Sequence, residues 1–259
     1  MEAVERFSEL ARQRKPGPSL AAGALAIAAG ADPELDVDRW LAELDRLAEG
    51  VDSLESLLRK VFVDEGFAGD TEDYYDPRNS LLHEVLIRRR GIPITLSVVC
   101  IEVGRRAGVP LEGVGMPGHF LVRPYGTDRY IDAFAGGTEL DLAGCEALFR
   151  SSTGAGRDVS FGRHLLTTAP VPAILTRILQ NLRAVYRSRT QFADLEWVLR
   201  MRLALPGVGA AELVELGQAM GRQGRFLDGA RFLEARLGER PQDAETLDLA
   251  ARTLRANLN

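Results

Sequence analysis

The chain has 259 residues, of which 46% are hydrophobic and 27% charged, and its formal net charge at pH 7 is −5. This composition suits one large or two small soluble domains, and the acidic balance argues against a nucleic-acid binder, which would present a basic face. The two cysteines and three histidines lack metal-ligand spacing, so we predict neither a disulfide framework nor a structural zinc, and we expect no cofactor.

The most apolar stretch is 19–30, SLAAGALAIAAG, which is shorter than the roughly 20 residues of a membrane span. Acidic residues precede it (Glu2, Glu5 and Glu9), and this is not typical of a secretory signal. We therefore predict a helix of small residues packed tightly against other helices, in a cytoplasmic protein with no membrane partner.

An all-helical lead-in is predicted over residues 1–65. Residues 2–14 should form a first helix that ends at Pro16-Gly17-Pro18. Apolar residues then recur at intervals of three and four after Asp36 and again after Asp52-Ser53, which predicts two amphipathic helices.

A polar, aromatic loop at 66–78 precedes the centre of the chain. Asn79 or Ser80 is expected to cap a helix that ends in Arg88-Arg89-Arg90, a solvated end where cations favour the helix dipole. Gly91 suits the left-handed position that commonly follows a helix.

The next helix is predicted from Pro93 to about Ala107, because proline suits a first helical turn. It is apolar almost all round and should be buried. The apolar period then changes to two, and a hairpin turn at 125–128 joins an arm carrying His119 to an arm carrying Asp132. Because a lone buried carboxylate is costly, we expect Asp132 to contact His119.

A short helix is predicted around Leu142–Arg150, followed by a flexible loop at 151–160. Helical periodicity returns after about residue 170. Residues 210–243 resemble one tetratricopeptide unit of about 34 residues. The residues near its packing, turn and stop positions are Leu216, Gly217, Met220, Gly224, Gly229, Leu233 and Pro241.

The segment DPRNSLLHEVLIRRRGIPITLSVVCIEVGRRAGVPLEGVGMPGHFLVR resembles the bacterial SirB-type family, in which a transglutaminase-like domain is followed by tetratricopeptide helices. The similarity covers most of the chain and is densest at 74–134. It implies an α+β fold with a papain-like core at 66–160, in which a central helix packs on a small antiparallel sheet. A helical lead-in at 1–65 and an all-α tetratricopeptide-like domain at 170–259 complete the expected organisation.

In active transglutaminase-like enzymes, a Cys at the start of the central helix pairs with a His and an Asp on adjacent strands. The resemblance assigns His119 and Asp132 to two of these positions, but Pro93 falls in the cysteine position. A shift of one or two residues would place Ile94 or Thr95 there instead, and no shift of that size supplies a cysteine. Both cysteines of the chain are expected to be ordinary core residues. Thr95 and Ser97 are the hydroxyls near the helix start, and Thr95 is the candidate nucleophile.

Two functions stay open at this point. In the first, the protein is a peptide- or protein-binding module or pseudoenzyme, compatible with a regulatory role. In the second, it is an amide-bond hydrolase or acyltransferase in which His119 is the base, Asp132 orients it, and a Thr, a Ser or water attacks. The expected pocket residues are Asn79, Pro93, Ser97 and Gly118. The missing thiol favours the first function, and the oligomeric state stays open.

Overall fold

Four helices form the N-terminal part of the protein. The computed structural model describes residues 2–12 and 19–257, so the break expected at Pro16-Gly17-Pro18 lies outside the described residues. The helices are α1 (Glu2–Arg12), α2 (Leu20–Ala31), α3 (Val37–Ala48) and α4 (Leu54–Leu58). α4 runs into a π-helical turn at Arg59–Asp64, so the continuous α-helix expected there is wrong, although Leu57 and Val61 are buried as their spacing predicts.

The small residues of α2 allow the close packing that the sequence predicts. A Cβ added to Gly23 would lie 2.7 Å from a methyl group of Leu175, and one added to Gly30 would lie 2.5 Å from the ring of Trp197. Both neighbours belong to helices of the C-terminal part, so α2 packs against segments that lie more than a hundred residues later in the chain. Among the described helices, none has the length and apolar character needed to cross a membrane.

A pair of two-residue strands leads to the centre of the molecule. β1 (Ala68–Gly69) pairs in parallel with β2 (Arg90–Gly91), and α5 (Leu82–Arg88) lies between them in the chain. This pairing carries the chain directly from the end of α5 into the central helix.

Of the three arginines expected to form a solvated helix end, Arg90 is exposed, whereas Arg88 and Arg89 are partly buried. Arg89 adopts a left-handed φ of 55°, the conformation expected for Gly91. Its guanidinium donates hydrogen bonds to Glu43 and Glu65 at 3.0 and 2.9 Å. These contacts hold a non-glycine residue in a sparsely populated conformation.

α6 (Pro93–Arg106) is the buried centre of the fold, and its bounds agree with the predicted helix. Every residue from Pro93 to Gly104 is buried. α6 packs against β3 (Leu111–Met116) and β4 (His119–Pro124), which form an antiparallel hairpin.

The remaining strands are β5 (Tyr130–Asp132), β6 (Thr138–Leu140) and β7 (Thr167–Thr168). The antiparallel sheet has the order β6-β5-β4-β3-β7. α7 (Leu142–Thr153) packs against the sheet, where Leu121 and Phe149 share a second apolar cluster. α7 is three residues longer than predicted, because residues 151–153 continue the helix. The mixed architecture of helices and antiparallel sheet confirms the expected α+β class.

The C-terminal part of the protein is helical. Its helices are α8 (Val171–Ser188), α9 (Phe192–Arg202), α10 (Ala210–Arg222), α11 (Phe226–Glu234) and α12 (Ala244–Ala256). Leu175 of α8 and Leu199 of α9 belong to the same hydrophobic cluster as α2 and α6, whereas α10 to α12 enclose a further cluster. The main core therefore extends across residue 170, the predicted start of the C-terminal domain.

Candidate functional site

The N-terminus of α6 is fixed by the side chain of Thr95. The Thr95 Oγ1 accepts a hydrogen bond from the Ile92 N–H at 3.2 Å and donates to the Asn79 carbonyl oxygen at 2.7 Å. Pro93 occupies the first helical position, where its missing N–H leaves no bond unmade. The hydroxyl that the sequence offers as a candidate nucleophile thus acts as a cap that joins α6 to the preceding turn.

His119 and Asp132 meet across neighbouring strands. His119 begins β4, Asp132 ends β5, and their Nε2 and Oδ1 atoms are 2.8 Å apart. The same Oδ1 also accepts from the backbone N–H groups of Phe134 and Ala135 at 2.9 and 3.3 Å. Because Oδ1 is an acceptor in all three contacts, Nε2 carries the imidazole hydrogen and Nδ1 is the ring nitrogen left for other contacts.

Gly118 shapes the turn that presents His119. Its φ is +76°, as expected of glycine in a tight turn, and a Cβ there would lie 2.8 Å from Ser152 Oγ and Thr153 Cγ2. A larger residue would therefore push the hairpin away from the end of α7.

A small cleft of about 30 Å³ lies between the start of α6 and this hairpin. Among the residues expected at the site, Pro93, Gly118 and His119 line it. A cavity needs roughly 10–15 Å³ to hold one water, so the cleft has room for a water or a single polar group, but not for a whole side chain. His119 lines this space, and its Nδ1 makes no hydrogen bond within the described residues.

Other candidate residues lie away from the cleft. Ser97 is fully buried one turn further along α6, and its Oγ has no hydrogen-bond partner within the described parts of the chain. Cys100 and Cys145 are also fully buried. Burial raises the pKa of the Cys100 thiol to about 12 and that of the Cys145 thiol to about 11. Both thiols are protonated at neutral pH, as expected of core cysteines.

Asn79 is not the helix cap that the sequence predicts. α5 has Leu81 at its N-cap position without a side-chain hydrogen bond. The Asn79 Nδ2 donates instead to the Asp73 carbonyl at 2.8 Å, and its Oδ1 accepts from Arg88 at 3.0 Å. Arg88 also donates to Asp70 at 3.0 Å. These contacts fasten both ends of the loop at 70–79, which carries an aromatic side chain to the cleft.

Three residues that sequence analysis did not single out complete the cleft: Tyr74 from this loop, and Arg177 and Asn181 from α8. Arg177 donates to the His119 carbonyl oxygen at 2.7 Å, and its guanidinium carbon lies 5.5 Å from the centre of the Phe120 ring. Burial lowers the pKa of Arg177. No local pattern marks these residues, because they lie on elements far from the hairpin in sequence. In the parts of the chain that the structure describes, no cluster of three His, Cys, Asp or Glu side chains is arranged to hold a metal ion.

A helix start facing a His–Asp pair on antiparallel strands is the arrangement of papain-like and transglutaminase-like domains. The chain belongs to the transglutaminase-like superfamily, whose family model matches residues 26–180.

Relatives extend the similarity beyond this domain. A UPF0162 protein of Xylella fastidiosa strain Temecula1 is 38% identical over 233 residues, covering 82% of each chain. UPF0162 protein PA3419 of Pseudomonas aeruginosa is 33% identical over 207 residues, covering 75% of each chain. Human F-box only protein 21 is 38% identical over 126 residues, which cover 45% of this chain and 19% of that protein. No solved structure matches the chain significantly.

Proposed function

We propose that this protein is a peptide- or protein-binding module built on a transglutaminase-like domain without thiol catalysis. The main support for the proposal is that Pro93, and not a cysteine, lines the cleft together with His119. Thiol catalysis would need a cysteine in that place. The high pKa values of the Cys100 and Cys145 thiols, about 12 and 11, argue against either as a substitute.

The surroundings of the cleft suit an extended polypeptide. Tyr74 and Tyr75 are 41% and 69% exposed and contact each other edge to face, with ring centres 5.3 Å apart. Exposed aromatic residues of this kind are enriched at protein interfaces. Because the cleft holds one small group, we infer that a bound chain lies across the surface and inserts only part of itself.

We further propose that α10 and α11 form a tetratricopeptide-like unit, as in the SirB-type group, and that such helices enlarge the binding surface. Support comes from the close contact between the two helices: a Cβ on Gly229 would lie 2.4 Å from the Gly217 carbonyl oxygen. Small residues at helix crossings are needed for this kind of hairpin. A regulatory role would follow if partner binding were the protein's activity.

A second candidate function, amide-bond hydrolysis, is supported by His119, which lines a cleft with room for one water and whose Nδ1 makes no hydrogen bond within the described parts of the chain. In this reaction Nδ1 would take a proton from water while the water oxygen bonds to the carbonyl carbon. The C–N bond would then break as Nδ1 returns the proton to the departing amine, with Asp132 holding the ring in place. Water is the stronger candidate nucleophile because Thr95 already donates its proton to a carbonyl oxygen.

A mixture of random-sequence pentapeptides separates the two functions. The mixture is incubated with the full chain and with H119A, and mass spectrometry reads both the peptides retained and any new fragments. We expect peptides to be retained with unchanged masses. Fragments that appear with the wild type and not with H119A would reject the binding module in favour of the hydrolase.

A further inference from the structure

α8 brings two polar side chains to the cleft from outside the sheet and its central helix. Arg177 and Asn181 lie four residues apart, on one face of the helix, and both line the cleft beside His119. The candidate site is thus composite, because the residues that complete it come from the C-terminal helical region.

Arg177 carries a charge that the surrounding protein does not neutralise. Its hydrogen bonds run to the carbonyl oxygens of His119 at 2.7 Å and Met116 at 3.3 and 3.4 Å, which are uncharged acceptors. Across residues 2–12 and 19–257, no carboxylate lies within ion-pair distance of its guanidinium. Removing a cation from water without an anionic partner is costly, so an anion that reached Arg177 would recover part of this cost.

The rest of the cleft offers hydrogen-bond donors without a competing negative charge. Asn181 is half-buried, and its side chain makes no hydrogen bond within the described ranges of the chain. Tyr74 also lines the cleft and has a phenol hydroxyl. Neither an Asp nor a Glu lines the cleft. An amide, a hydroxyl and a guanidinium around one small space are complementary to ligand oxygens that carry negative charge.

We propose that Arg177 and Asn181 anchor a carboxylate group of the bound peptide or protein. The inference rests on the proposed binding function and specifies the group recognised. The space of about 30 Å³ admits one end of a planar carboxylate more readily than a tetrahedral phosphate, which is bulkier in every direction. The carboxylate can belong to the chain terminus or to an acidic side chain.

Three pentapeptide pools distinguish these sources: peptides with a free C-terminus and no acidic residue, the same peptides amidated, and amidated peptides with one Asp or Glu. Retention by the immobilised full chain is measured by mass spectrometry. We expect the first or the third pool to be retained at least about tenfold better than the neutral amidated pool, as for a lost charge-assisted hydrogen bond. Preference for the first pool identifies a terminal carboxylate, and preference for the third identifies a side chain.

The variants R177M and N181L should reduce this preference about tenfold. Q180L is the matched control, because Gln180 is exposed on the same helix and outside the cleft. N181L keeps the test informative if R177M destabilises the hairpin, since the Asn181 side chain holds no partner in place. Equal retention of all three pools, or unchanged preference in N181L and a folded R177M, would overturn the anchor and leave the binding function standing. Failure of the wild type to retain any pool would reject the binding function itself.

Discussion

Replacing Pro93 with cysteine would put a thiol in the position where the transglutaminase-like arrangement lacks one. Pro93 is the first residue of α6 and lines the cleft with His119. The change should be tolerated, because the new side chain is smaller and the first helical position does not require proline. The loss of proline's restriction on the unfolded chain costs about 0.4–1 kcal/mol.

The new thiolate should be stabilised by the helix N-terminus and by the His119 ring, whose Nδ1 takes the thiol proton and then donates a hydrogen bond to the sulfur. The dipole term is about 0.3–1 kcal/mol and a hydrogen bond to a charged group about 1.5–3 kcal/mol. Together they exceed the roughly 1.4 kcal/mol that corresponds to one pH unit. The pKa of the P93C thiol should therefore fall by at least about one unit. At pH 7 this raises the thiolate fraction about tenfold, and since intrinsic reactivity falls about threefold, alkylation should be about threefold faster.

The assay is the rate of reaction with iodoacetamide as a function of pH. I87C provides the reference, because Ile87 is 56% exposed and outside the cleft. In the native wild type we expect no alkylation of Cys100 or Cys145, whose pKa values are about 12 and 11. Adding His119→Ala to P93C should return the midpoint toward that of I87C. If folded P93C and I87C share one midpoint, the reasoning that the active-centre geometry persists is wrong.

Two further predictions concern stability. A Cβ on Gly229 would lie 2.4 Å from the Gly217 carbonyl oxygen, a backbone atom that cannot rotate away. The cost of overpacking should therefore lie in the upper part of the usual range of about 1–3 kcal/mol. It should exceed the gain in helix propensity of about 1 kcal/mol, so G229A should be less stable than the wild type. Urea unfolding should show this loss, whereas G238A, with no atom within 4 Å of the added Cβ, should unfold like the wild type. The hydrogen bond from Arg46 lowers the pKa of Glu43 from 4.5 to about 2. The stability that ionised Glu43 adds to the folded state is therefore fully present above pH 4.5 and is lost as the pH falls toward 2. E43Q should lose less stability than the wild type between these pH values, and equal acid sensitivity in urea unfolding would contradict the role of this ion pair.

Much of the central fold follows from local sequence patterns. The apolar residues after Pro93 and the change of period after residue 111 predict a buried helix followed by a hairpin, and both form where expected. The partnership of His119 and Asp132 also follows from sequence, because a carboxylate among apolar neighbours needs a hydrogen-bond donor. These features depend on residues close in the chain and on burial, which the pattern itself reveals.

Predictions failed where a side chain contacts a distant element. The sequence predicts a solvated helix end at Arg88 and Arg89, but carboxylates from the preceding loop and helices pair with both side chains. From the sequence, Asn79 is expected to be the N-cap of α5, because asparagine is common at N-cap positions and Asn79 lies just before the helix. Its amide instead donates to the Asp73 carbonyl six residues earlier. This prediction failed because the loop at 70–79 folds back on itself, and not because of a contact with a distant element.

The sequence by itself determined the central helix, the hairpin and the His119–Asp132 pair, because each depends on neighbouring residues or on a local period. The assignment of Pro93 to the cysteine position depends in addition on the resemblance to active transglutaminase-like enzymes. Only the tertiary structure decided what else borders the cleft. Arg177 and Asn181 reach it because α8 packs into the core shared by α2 and α6. That packing depends on shape-matched apolar contacts between segments more than a hundred residues apart, such as Gly23 against Leu175, and no local pattern encodes which side chains such a contact brings together.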